Sequence, residues 1–113
     1  MKNQLSIEQL KHMLQERKAE QDDFLLVDVR ELDEYNDRHI EGTDYLVPMS
    51  DFEKNLKILE QFKDKKIVLY CRASRRSLIA QKKMYELGFN NVYNMLTGII
   101  GYWLEKELKW KYY

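Results

Sequence analysis

The chain has few of the residues that crosslink, kink or subdivide a protein. It contains one cysteine, Cys71, and one proline, Pro48. A lone thiol cannot close an internal disulfide, so a reducing setting is expected, with the cytoplasm as the compartment. One cysteine and two distant histidines, His12 and His39, offer no metal-ligand spacing. No apolar run is long enough to span a bilayer, and no basic-then-apolar segment at the N-terminus reads as a leader. Net charge is missing too, because 19 basic residues balance 19 acidic ones. That removes the global electrostatic case for nucleic acid or a membrane surface, and leaves any anion site to local clustering. No repeat, linker or low-complexity stretch divides residues 1–113, so one domain is expected.

What is present is a regular alternation of short apolar runs and helical periods. Apolar residues make up 44% of the 113, enough for a real core. Ser6 and Gln9 form a capping-box pattern, and Ile7, Leu10, Met13 and Leu14 recur at helical spacing. Phe24-Leu25-Leu26-Val27 predicts a strand buried on both faces, with Asp28 and Arg30 at its carboxyl end. Glu31 to Arg38 suits a short helix, and Tyr45-Leu46-Val47 a strand closed by Pro48. Ser50 and Glu53 predict a second capping box, opening a helix with Phe52, Leu56 and Leu59 on one face. Ile67-Val68-Leu69-Tyr70 is a buried strand. Arg75 to Leu87 is helical, with Gly88 as a left-handed stop. Asn91 to Met95 predicts a further strand and Ile99 to Glu105 a short helix. The alternating tail from Leu108 to Tyr112 suits an edge strand. The expected fold is α/β: a central, mostly parallel sheet of about five strands with helices on both faces.

In such sheets, sites form beyond the carboxyl ends of the strands. Cys71 follows the strand Ile67–Tyr70, and Arg72, Arg75 and Arg76 come within five residues of it. A free cysteine ionises near pH ~8.5, and its thiolate is the nucleophile. A strand-to-helix turn supplies unpaired amides and the positive end of a helix dipole, both of which favour an anion. Arginine adds permanent charge in a planar fork that fits oxyanions. The bland alternative is a small buried hydrophobe, the usual fate of a single cysteine after a strand. Three arginines beside the thiol favour the chemical reading.

The stretch Cys71-Arg72-Ala73-Ser74-Arg75-Arg76-Ser77 resembles the active loop of rhodanese-like domains. That loop runs from cysteine, through two variable residues and a glycine, to a basic residue and then serine or threonine. Flanking stretches match in order: Leu26-Val27-Asp28-Val29-Arg30-Glu31 with Glu34-Tyr35, His39-Ile40-Glu41-Gly42 before Pro48, and Leu96-Thr97-Gly98 with Trp103. Three positions depart from the pattern. Ser74 stands in place of glycine, Thr43 in place of alanine, and Ile99 in place of the second closing glycine. Ser74 bears most on activity, since it lines the cradle and that position can demand a positive φ.

The resemblance implies a sulfurtransferase. Cys71 would take the outer sulfur of a small anionic donor such as thiosulfate as a persulfide, then pass it to a thiophilic acceptor, cyanide or a small or protein thiol, by double displacement. The main-chain amides from Arg72 to Ser77, through Ala73, Ser74, Arg75 and Arg76, would ring the persulfide. Arg76 would touch the anion. No metal or organic cofactor, nucleic acid or membrane is implied, and no oligomeric state follows. Asp28 and Arg30 support the loop, read first as a structural ion-pair network with Glu31 or Glu34 and second as Asp28 positioning the loop or an arginine. His39 stays outside the catalytic set. Two other classes compete. A phosphatase loop needs arginine one residue later, where Ser77 stands. A non-catalytic binding module, or a carrier charged by a partner protein, stays open through Ser74.

Overall fold

The computed structural model describes residues 3–103. They form one five-stranded sheet in which every pairing is parallel. The strands are β1 (Gln4–Leu5), β2 (Leu25–Asp28), β3 (Tyr45–Leu46), β4 (Ile67–Tyr70) and β5 (Val92–Met95), in the order β1-β5-β4-β2-β3. The helices are α1 (Ile7–Lys18), α2 (Leu32–Asp37), α3 (Phe52–Asn55) and α4 (Arg75–Glu86), with a further helical stretch, α5, over 98–103. A 3-10 segment, Leu56–Phe62, continues α3.

The pleat sorts the sheet into two cores. Leu25, Val27, Ile67 and Leu69 point to one face, where they meet Leu56, Leu59, Ala80 and Met84. Leu26, Val68 and Tyr70 point to the other, against Leu10, Ile40 and Ile99. Helices therefore cover both faces, and the central strands β2 and β4 are buried along their whole length, as their unbroken apolar runs predict. No helix among the described residues is long and apolar enough to cross a membrane.

Several local expectations meet the structure directly. Ser6 caps α1 reciprocally with Gln9: the Gln9 amide donates to Ser6 Oγ at 3.1 Å and the Ser6 amide to Gln9 Oε1 at 2.8 Å. Gly88 ends α4 at φ +97°.

Others are corrected. The predicted capping box at Ser50 and Glu53 does not form. Asp51, at φ +59°, is the N-cap of α3 without a side-chain bond, while the Ser50 hydroxyl and amide go to the Glu31 carboxylate. Asn55 instead ties the turn, donating from Nδ2 to the Pro48 and Ser50 carbonyls at 3.1 and 2.8 Å. The strand β1 is not anticipated by the sequence reading; two residues, one of them polar, carry no periodic signal. It is aligned on β5 with Gln4 opposite Asn94. The predicted tail strand, and the end of the predicted last helix at Glu105, lie outside the described residues.

Thr43 has a clear reason to depart from alanine. Tyr70 is wholly buried, so its phenol needs a partner. Thr43 Oγ1 lies 2.8 Å from that oxygen and donates to the Ile40 carbonyl at 2.6 Å, which leaves the phenol as donor between the two hydroxyls. The Ile40 amide donates to the Tyr70 oxygen at 3.2 Å. Replacing Thr43→Ala removes one hydrogen-bond partner of the buried phenol and should cost about 1 kcal/mol, read as an earlier midpoint in urea unfolding.

Candidate active site

The order β1-β5-β4-β2-β3 reverses direction between β4 and β2, so the crevice of the sheet opens at their carboxyl ends. Asp28 pairs with Tyr70 across that boundary, and the Val29 amide donates to the Tyr70 carbonyl at 3.0 Å. Cys71 is the next residue. The register of two buried strands thus sets the thiol at the crevice.

Cys71 is a free thiol and is 1% exposed. Two main-chain amides aim at its Sγ: that of Ser74 at 3.1 Å and that of Ser77 at 3.4 Å. Ser74 is the N-cap of α4 and Ser77 its third residue, so the sulfur takes up amides that the first turn of a helix leaves unpaired. The Ser77 hydroxyl lies 3.3 Å from the same sulfur. An anion here is favoured by both amides and by the helix dipole. Of the residues from Arg72 to Ser77, Ser74 and Ser77 have amides on the sulfur, while Arg72, Ala73 and Arg75 are exposed.

The loop is gripped from its other side. The amides of Ile99 and Ile100, opening α5, donate to the Cys71 and Arg72 carbonyls at 2.9 and 3.0 Å. Gly98 sits so close that a Cβ there would fall 2.4 Å from the Arg72 carbonyl oxygen, and its φ is +58°. Only glycine fits that approach. Ile99, in place of a second glycine, buries its side chain in the core while its amide holds the loop.

The arginines divide by partner. Arg76, the expected anion contact, is engaged by Glu34 instead, through Nη1–Oε1 at 2.6 Å and Nη2–Oε2 at 2.8 Å. The hydrogen bond from Arg76 outweighs the opposing effect of burial and holds the Glu34 carboxyl down at about 2. Arg30 pairs with Asp28, which is fully buried: Nε lies 3.0 and 3.1 Å from the two carboxylate oxygens and Nη2 lies 2.8 Å from Oδ2. Burial disfavours the Arg30 charge, but the Asp28 hydrogen bond and charge raise its pKa above the ordinary value. Arg30 Nη2 also donates to the Arg38 carbonyl at 2.6 Å. The expected ion-pair network is real, with its partners changed. Asp28 and Arg30 hold each other, and Glu34 serves Arg76. Glu31 takes Ser50.

Arg72 stays free of ion pairs among the described residues. With Arg30, Glu34, Asp37, Arg38, Ile99, Ile100 and Trp103 it lines a cleft of about 470 Å³ beside the loop. Cys71 itself does not line this cleft, which adjoins the thiol through Arg72 and Ile99. The Arg38 guanidinium lies 5.3 Å from the Trp103 ring centre. His39 stacks on Tyr35 at 3.8 Å and contacts the Tyr35 carbonyl through Nδ1 at 3.0 Å. Sequence reasoning missed Arg38 as a cleft residue and Asn94, which is buried behind Ser77. A lone amide inside an apolar strand was the available signal for Asn94.

A model of the family described as "Rhodanese-like domain" matches residues 6–105. The chain is 33% identical over 84 residues to "Putative sulfur carrier protein YrkF" of Bacillus subtilis, covering 74% of this chain and 44% of that protein. It is 37% identical over 102 residues to a tRNA uridine(34) hydroxylase of Photorhabdus laumondii, covering 87% of this chain and 27% of that protein. The chain thus spans less than half the length of either relative. Its fold superposes on a crystal structure of thiosulfate sulfurtransferase from Pseudomonas aeruginosa with a TM-score of 0.75 at 25% identity, covering 92% of this chain and 19% of that one.

Two outcomes test this geometry. Ser74 sits at φ +93°, a conformation costly for a residue with a Cβ, so Ser74→Gly should raise the urea midpoint, by up to about 1 kcal/mol of stability. Glu34 stays ionised in the folded protein down to about pH 2, against 4.5 for the unperturbed group. Its pairing with Arg76 therefore stabilises fully above pH 4.5, and that contribution drains away as pH falls from 4.5 towards 2. In urea titrations across that range, Glu34→Gln should flatten the acid loss of stability and cost about 1 kcal/mol at pH 7.

Proposed function

The chain belongs to the rhodanese-like domain family, and from that premise we propose that it is a sulfurtransferase working through a persulfide on Cys71. The observation that carries the reading is the pair of amides, from Ser74 and Ser77, converging on Sγ at the start of α4. They stabilise negative charge on the sulfur as it attacks and the charge of the persulfide after transfer.

In the first step the Cys71 thiolate attacks the outer sulfur of thiosulfate. A Cys71–sulfur bond forms, the donor's S–S bond breaks, and sulfite leaves with the bonding pair. In the second step an acceptor thiolate or cyanide attacks the outer persulfide sulfur, and Cys71 departs as thiolate. The inner sulfur is 1% exposed, so the transferred atom, about 2 Å further out, is the one an acceptor meets. Arg72 and Arg38 supply charge for an anionic donor at the rim, while Arg76, tied to Glu34, braces α4 against α2. Asp28 and Arg30 support the wall of the cleft rather than the sulfur.

A second reading is a persulfide carrier loaded by a protein partner. The burial of Cys71 and the likeness to the sulfur carrier favour it. One experiment separates these. The protein is incubated with thiosulfate, its intact mass is measured for one added sulfur, and cyanide is then added and thiocyanate measured. Adduct with turnover is expected, and Cys71→Ser should abolish both. Adduct without efficient turnover gives the carrier. No adduct from thiosulfate or any persulfide donor defeats both in favour of a binding module.

A further inference from the structure

Behind the nucleophile runs a line of buried polar side chains that the sulfur chemistry above leaves unused. Ser77, Gln81 and Asn94 are fully buried. Gln81 Nε2 donates to the main-chain carbonyls of Asn3 and Val92, at 3.0 and 2.9 Å. Carbonyls only accept, so the Gln81 amide can stand only one way round. Its Oε1 then accepts from Gln4 Nε2 at 3.2 Å. Gln4 Oε1 in turn accepts from Asn94 Nδ2 at 2.9 Å. That leaves Asn94 Oδ1 facing the Ser77 hydroxyl.

An amide oxygen can only accept as well, and the other oxygen near the Ser77 hydroxyl, the Ser74 carbonyl at 3.0 Å, is also an acceptor. Ser77 has one hydrogen to give, and both claims on it point away from the sulfur. Toward Cys71 Sγ, at 3.3 Å, it presents lone pairs, and in that contact the S–H is the donor.

We propose that Asn94 is a positioning residue which, through Ser77, biases Cys71 toward the neutral thiol in the resting protein. The bias opposes the Ser74 and Ser77 amides, which favour the anion. Without Asn94 only the neutral Ser74 carbonyl, at 3.0 Å, competes for that hydrogen, and the sulfur is freed when the Ser77 hydroxyl turns it to the developing charge. The direction of the whole line is set at Gln81, four residues beyond Ser77 on α4, by two backbone carbonyls that cannot reverse. This rests on Cys71 being the nucleophile, but its test reads the thiol itself and does not require sulfur transfer.

The test is the pH profile of Cys71 alkylation by iodoacetamide, on the full chain, for wild type, Asn94→Leu, Ser77→Ala and the double variant. Improved access scales the rate at every pH, whereas easier ionisation moves the profile along the pH axis. Asn94→Leu should shift the profile down by roughly half to one pH unit, about three- to tenfold in rate at pH 7. In the Ser77→Ala background the same change should shift nothing, because the effect runs through that hydroxyl. Gln4→Ala, at the half-buried link, should shift the profile the same way by letting the Asn94 amide turn over, and serves if Asn94→Leu does not fold. A profile unmoved or shifted upward in these variants overturns the proposal. So does an equal shift with and without the Ser77 hydroxyl. Loss of persulfide formation with the alkylation pattern intact would instead defeat only the sulfurtransferase reading.

Discussion

The main chain around Cys71 is held from two opposite sides, and the site depends on that grip. On one side the start of α4 delivers the Ser74 and Ser77 amides to the sulfur. On the other the start of α5 delivers the Ile99 and Ile100 amides to the carbonyls of Cys71 and Arg72. Each helix beginning leaves amides without partners of its own, and the loop lies between two such beginnings. Its carbonyls and its sulfur are thus both satisfied without a single long side chain. Gly98 is what allows the second approach, since any Cβ there would collide with the Arg72 carbonyl.

Charge is arranged around this grip by a division of labour. The buried Asp28–Arg30 pair and the half-buried Glu34–Arg76 pair spend their charge on each other and on fixing elements in place. Asp28 and Arg30 lock the end of β2, and Arg30 reaches on to the Arg38 carbonyl that follows α2. Glu34 and Arg76 join α2 to α4. A buried pair of this kind contributes more to geometry than to net stability, because desolvation offsets most of its attraction. Arg72 and Arg75, exposed on the rim, keep their charge for whatever approaches.

The departures from the family pattern find three different accounts. Thr43 supplies the hydrogen-bond partner that a buried tyrosine needs. Ile99 fills the core with its side chain while its backbone grips the loop. Ser74 keeps the left-handed conformation that glycine would adopt freely, and the strain persists because the carbonyl and amide of Ser74 are both used, by Leu78 and Ser77 on one side and by the sulfur on the other.

The α/β class, the central strands β2 and β4, the helices α1 and α4 and the position of Cys71 at a strand end were legible in the sequence. Their signals are local: unbroken apolar runs, helical spacing, a serine cap and a terminating glycine. The partners of the charged residues were not legible. Arg76 reads as an anion contact until Glu34, 42 positions away, is seen on it. Asp28 and Arg30 read as one ion-pair network with Glu31 or Glu34 until the fold shows the two on each other and Glu34 on Arg76. β1 and the amide line through Gln4, Gln81 and Asn94 are likewise invisible along the chain, because their contacts join residues about 11 to 90 positions apart. Sequence by itself determined which elements form and where the thiol stands, since periodicity and capping act over a few residues. Tertiary structure alone decided which charges are occupied and which way each hydrogen bond runs, since those follow from side chains that only folding brings together.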